Sequence, residues 1–183
     1  VFLIENSLPY HKTSIFRREP EKVRLCVKEF KKICGEVGFW FSTMGHGGTL
    51  LFMDEMDREL YTPIEGVDGK TSGHGYCLFD EKFRKDLGDG IKKMAEFGPD
   101  IMMLDDDFRM VIRPGRGCVC PLHVAEFNRR TGKNFTKDEL REFIINNPRS
   151  EITDAYYEMQ KDSLVNAARE FRAAVDEIDP SIQ

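Results

Sequence analysis

Within residues 98–123, GPDIMMLDDDFRMVIRPGRGCVCPLH, two groups of side chains have the types and spacing to do chemistry. They are the consecutive carboxylates Asp105, Asp106 and Asp107, and the run Cys118-x-Cys120-x-x-His123. Three like charges a few ångströms apart raise one another's pKa, so one of them holds a proton near neutral pH when the site is partly desolvated. Such a group serves as general acid to a leaving oxygen and then as general base. The same oxygens suit a hard cation such as magnesium or manganese, and a third reading is an acidic strand end paired with Arg109 and Arg113. All three stay open on the residues alone. The second group offers two thiolates and an imidazole at a spacing that wraps one zinc ion, and a closed tetrahedral site needs a fourth ligand. Cys77 is the candidate, with His74 as its substitute; free thiols beside a surface histidine are the competing reading.

These groups need elements to hold them. Ile101-Met102-Met103-Leu104 is a short apolar run between Gly98-Pro99 and charge, the pattern of a strand covered on both faces in a parallel sheet. The three aspartates emerge at its carboxyl end, where α/β proteins gather ligands and catalytic groups. Strand alternation puts Asp105 and Asp107 on one side and Asp106 on the other. Val1 to Ile4 and Val37 to Phe41 read as two earlier strands. The glycine-rich loop Ser42 to Gly48 follows the second and carries His46, a candidate to bind a substrate hydroxyl; with no lysine after its glycines it is not a phosphate-binding loop. Residues 50–72 read as a long mixed connection. Glu19-Pro20-Glu21 opens a helix that Gly35 ends, and Cys26 and Cys34 on it read as core. Helical spacing recurs over 80–97 and 121–130, Thr136 to Glu139 is a capping box, and Ser150 caps the last and longest helix. Strand, helix, strand, helix, strand, helices is a βαβ series with parallel strands.

A chain of 183 residues, 40% hydrophobic, makes one compact domain over 1–183, without internal repeat or linker. No apolar run approaches the ~20 residues of a membrane span, so no membrane partner is expected. A net charge of -5 with interleaved basic residues argues against nucleic acid. Five irregularly spaced cysteines point to a reducing, cytoplasmic setting instead of a disulfide framework. A start on the apolar Val1, without methionine, suggests a fragment.

From Asp68-Gly69 to Phe127 the chain resembles the glycoside hydrolase family 42 β-galactosidases, TIM-barrel enzymes of clan A. The resemblance rests on a glycine-bearing approach to Tyr76-Cys77, a helix, an apolar strand ending in acids, a Cys-x-Cys-Pro-x-ligand run and Phe127 inside the next helix. It implies a partial (β/α)8 TIM barrel, about strands two to four with their helices, acting on a carbohydrate substrate by carboxylate acid/base catalysis. Where the family has Asp-Asn-Glu, this chain has Asp105-Asp106-Asp107. Asp107 then matches the proton donor, and Asp106 the asparagine that contacts the sugar 2-hydroxyl, with Asp105, His46, Phe108 and Arg109 as substrate-side neighbours. Both catalytic positions depart from the family in residue type. Some members bind zinc through a cysteine matching Cys77 and three ligands matching Cys118, Cys120 and His123, the last being cysteine there. The resemblance thus implies a structural zinc and no organic cofactor. The family nucleophile, a glutamate at the end of strand seven, would fall beyond Gln183, and a retaining glycosidase needs both carboxylates roughly 5 to 5.5 Å apart.

Two other classes compete. An apolar strand running into three aspartates also marks the metal and nucleotide-sugar site of a Rossmann-like glycosyltransferase, and the cysteine cluster alone would suit a non-catalytic zinc or carbohydrate-binding module. Exposed barrel edges would favour a homo-oligomer.

Overall fold

The computed structural model describes residues 1–5, 8–44, 60–106, 108–110 and 117–183, with the backbone alone at 73 and 74. Three short parallel strands form its centre: β1 (Phe2–Glu5), β2 (Gly38–Phe41) and β5 (Ile101–Leu104), side by side in chain order. Their register is unbroken, with Ile4 opposite Trp40 and Trp40 opposite Met103. β-Branched and aromatic residues suit these pleated positions, and the intervening helices supply the long crossovers that parallel pairing requires. These are α1 (Ile15–Arg18) and α2 (Pro20–Cys34) before β2, and α3 (Glu81–Ala95) before β5. After β5 come α4 (Pro121–Thr131), α5 (Lys137–Asn146) and α6 (Glu151–Asp176). No described helix is long and apolar enough to cross a membrane.

The two faces of the sheet differ. Phe39 and Phe41 are buried under helices, Phe39 receiving the ring of Phe16 edge-on at 4.7 Å. On the opposite face Ile4, Trp40 and Met103 remain 60%, 37% and 37% exposed. The expectation that Ile101 to Leu104 is covered on both faces is therefore corrected: helices cover one face, and no described element covers the other. Beside β5, on its free edge, Gln183 donates from its amide to the Asp100 carbonyl at 2.9 Å and accepts from Met102 N at 2.6 Å. That pair of bonds is one parallel bridge, so the backbone leaving α6 takes up the position of a further strand next to β5.

The connection 50–72 conceals a second small sheet. β3 (Pro63–Glu65) and β4 (Thr71–Tyr76) pair antiparallel around Gly69, whose φ of 84° is a left-handed conformation glycine tolerates. A three-residue strand interrupted by a register shift lacks the alternation that would betray it in sequence. A second apolar cluster, including Val67, Val119, Phe127, Leu140, Ile144 and Met159, lies behind this hairpin and is separate from the cluster under the parallel sheet. Cys34 is exposed and Cys26 partly so, which corrects their placement in the core.

Asp100 ties the sheet's entry end together: its carboxylate accepts from Val37 N and from Lys31 Nζ, each at 2.8 Å. The lysine, and then the amide, hold its carboxyl below the ordinary aspartate value. A depressed folded-state pKa contributes stability above the unfolded value, lost as pH falls through the folded one. Asp100→Asn should therefore cost about 1 kcal/mol at pH 7 and progressively less below pH ~4, read by urea unfolding at each pH. In the same assay Phe39→Ala should cost about 3–5 kcal/mol, whereas Ile33→Ala on the exposed side of α2 should change stability by no more than about 0.5 kcal/mol.

Candidate metal centre and strand-end cleft

Each member of the cysteine and histidine group is set by backbone chemistry before any ligand is considered. Cys77 follows β4 in a tight turn: its amide donates to Thr62 O at 2.8 Å, and its carbonyl accepts from Asp80 N at 3.0 Å. Asp80 then caps α3 by accepting from Phe83 N. Across from it, Val119 N donates to Glu65 O at 2.7 Å, so the Cys118–Cys120 segment runs beside the hairpin. Cys120 is the N-cap of α4, Pro121 occupies its first position, and His123 lies in its first turn. The cap-to-third-residue spacing puts both ligands at one helix end.

The result is a buried cluster in which one ligand atom from each of Cys77, Cys118, Cys120 and His123 lies within 4.8 Å of the others. Cys77 Sγ is 3.1 Å from His123 Nδ1, and Cys120 Sγ is 3.4 Å from Cys77 Sγ and 3.5 Å from the same nitrogen. A zinc ion bonded at ~2.3 Å to sulfur and ~2.0 Å to nitrogen would set tetrahedral ligands about 3.5–3.8 Å apart. A disulfide would need sulfurs at about 2.05 Å, and all these thiols are free. The donor set thus fits one zinc ion with no position left for substrate, the signature of a structural site. Phe79 N donates to Cys77 Sγ at 3.3 Å, while the Phe79 ring meets the imidazole edge-on at 4.6 Å. Burial pushes the Cys77 and Cys118 thiols up, and hydrogen bonds from Cys118 and Cys77 draw Cys120 well down. A divalent cation would favour the thiolate form of all three sulfurs. Among the described residues this is the one group of histidine, cysteine and acidic side chains close enough to hold a metal.

The strand-end carboxylates stand elsewhere, at the carboxyl ends of β1, β2 and β5. An open cleft there is lined by Ile4, Glu5, Trp40, Ser42, Asp105 and Asp106. Asp105 accepts from Trp40 Nε1 and from Asp106 N, both at 2.8 Å. Asp106 pairs with Arg109 at 3.2 Å. Phe108 faces inward against Phe171 and is packed on the core, so it presents no open platform to the cleft. Asp107, His46 and Arg113 lie outside the described residues, as does the side chain of His74. Trp40 also lines the cleft; its alternation with the buried Phe39 and Phe41 is the signal that points it to this face. Glu5, also at the cleft, is committed to structure, accepting from Ser14 Oγ and Ile15 N.

No family model matches the chain, and no curated protein matches it. Among solved structures, the beta-galactosidase from Bacillus circulans sp. alkalophilus is similar with a TM-score of 0.60 and 15% identity. The likeness is one of fold. It extends over 98% of this chain and 31% of the β-galactosidase, so the chain spans about a third of that protein's length.

Purified protein should carry about one zinc per chain by elemental analysis. Cys77→Ser and Cys120→Ser should each lose most of it and unfold at lower temperature, and chelator should lower the melting temperature of the parent but not of these variants.

Proposed function

We propose that this chain is the arc of strands two to four of a (β/α)8 barrel, belonging to a glycoside hydrolase of β-galactosidase type. The observation that carries the reading is the order of the sheet: β1, β2 and β5 add in chain order, and Gln183 continues the series on the free edge of β5. A doubly wound sheet reverses direction and would send a strand back past the first one, which counts against a Rossmann-like glycosyltransferase. A singly wound series keeps adding on the same side and closes into a barrel. The uncovered face of Ile4, Trp40 and Met103 suits a barrel interior, which is filled by layers of such side chains.

The catalytic roles follow from which carboxylates are already engaged. Asp105 is fixed by the Trp40 indole and the Asp106 amide, and Asp106 by the Arg109 guanidinium. Asp107 is thereby assigned the transferable proton: it protonates the leaving glycosidic oxygen and then takes a proton from the attacking water. Asp106, an acceptor where an amide could also donate, accepts a hydrogen bond from a sugar hydroxyl. The nucleophile is a second carboxylate outside these residues. Zinc at the cysteine and histidine cluster would anchor the loop that follows Asp107 and would take no part in bond breaking.

The full gene product carrying these residues should hydrolyse an aryl β-galactoside, and Asp107→Asn should lower kcat by 10²-fold or more with little change in melting temperature. Silence toward a panel of aryl β-glycosides, together with manganese-dependent binding of a sugar nucleotide, would overturn the assignment.

A further inference from the structure

The backbone N–H and C=O of Cys118 are both held by side chains of α6. The Gln160 carboxamide of α6 binds both of its hydrogen-bonding groups: Cys118 N donates to Gln160 Oε1 at 3.1 Å, and Gln160 Nε2 donates to Cys118 O at 3.0 Å. The same carbonyl accepts from Tyr156 Oη, one helical turn earlier, at 3.1 Å. Cys118, Tyr156 and Gln160 are all buried. The approach leaves no room beside it: Gly117 has a φ of 80°, and a Cβ there would stand 2.6 Å from the Tyr156 hydroxyl and 3.3 Å from Gln160 Cδ. Buried peptide groups demand partners, but any loop backbone could have supplied them. Here two side chains from one helix satisfy both backbone polar groups of one residue, a candidate metal ligand, while α6 is itself anchored on α3 by the Arg84–Glu170 and Lys92–Glu177 pairs.

We propose that Gln160 and Tyr156 are positioning residues of the metal centre, a clamp on α6 that orients the Cys118 thiolate before the ion arrives and so sets zinc affinity. Groups that orient metal ligands from outside typically change affinity 10- to 100-fold when removed. Without the clamp, the backbone on either side of the Cys118 α-carbon would lose three hydrogen bonds and gain rotational freedom, and the entropy of fixing its sulfur would then oppose binding. The clamp rests on the zinc reading, and the experiment separates the two.

The test is zinc competition against a chromophoric chelator and the absorption spectrum of the cobalt-substituted protein, for the parent, Gln160→Met and Tyr156→Phe. Gln160→Met keeps the volume and removes both bonds; Tyr156→Phe keeps the ring and removes one. Zinc affinity should fall roughly 10- to 100-fold in the first and about tenfold or less in the second, with the cobalt d–d bands of Gln160→Met shifted from those of the parent. If Gln160→Met fails to fold, the affinity and spectrum of Tyr156→Phe decide. Variants that lower the stability of zinc-free and zinc-loaded protein equally, with affinity and spectrum unchanged, would overturn the clamp and leave the zinc site standing. A parent that binds neither zinc nor cobalt would overturn both.

Discussion

Three thiols and an imidazole, buried within reach of one another at the seam between two apolar clusters, constrain this structure more than any other contact. Cys77, Cys118 and Cys120 border the cluster under the parallel sheet, whereas Val119 and the first turns of α4 belong to the cluster behind the hairpin. Thiols pushed up by burial, next to one drawn down, make a poor core without a cation. With zinc they would become a cross-link between the turn after β4 and the segment that runs beside β3 into the start of α4. The energy of such a site is folding energy, since the unfolded chain has no preformed cage.

That cross-link bears on the candidate chemistry through the chain between them. Asp105 N donates to Phe41 O of β2, Gly117 N donates to Met110 O at 2.6 Å, and Cys118 is bonded to Gln160 of α6. Along the chain, Asp105 and Asp106 thus lie between the paired strand β5 and the candidate metal centre. Trp40 adds a lateral brace to Asp105 from the uncovered face of the sheet.

Much of this was legible in the sequence where local chemistry decides. The Thr136 to Glu139 capping box, the Ser150 cap, the Gly35 stop and the three parallel strands follow from residue types within a few positions. The gathering of Cys77, Cys118, Cys120 and His123 was legible too, because a Cys-x-Cys-x-x-His run at a helix start has few other uses. What failed depended on distant partners. The hairpin of β3 and β4 owes its existence to packing on α5, where the Arg141 guanidinium caps the Gly69 turn and reaches Val67 O, and three residues of strand carry no periodic signal. Exposure of Met103 and Cys34 could not be read from their types, and Trp40 was hidden by apolar neighbours that face the other way. The clamp of Gln160 on Cys118 spans 42 positions and leaves no local trace.

The measurement closest to the central claim is the zinc K-edge absorption spectrum of the purified chain in solution. The expected spectrum is that of a four-coordinate zinc bonded to three sulfurs near 2.3 Å and one nitrogen near 2.0 Å. A shell of oxygen and nitrogen alone, or a protein that retains no zinc after metal is supplied during refolding, would contradict it.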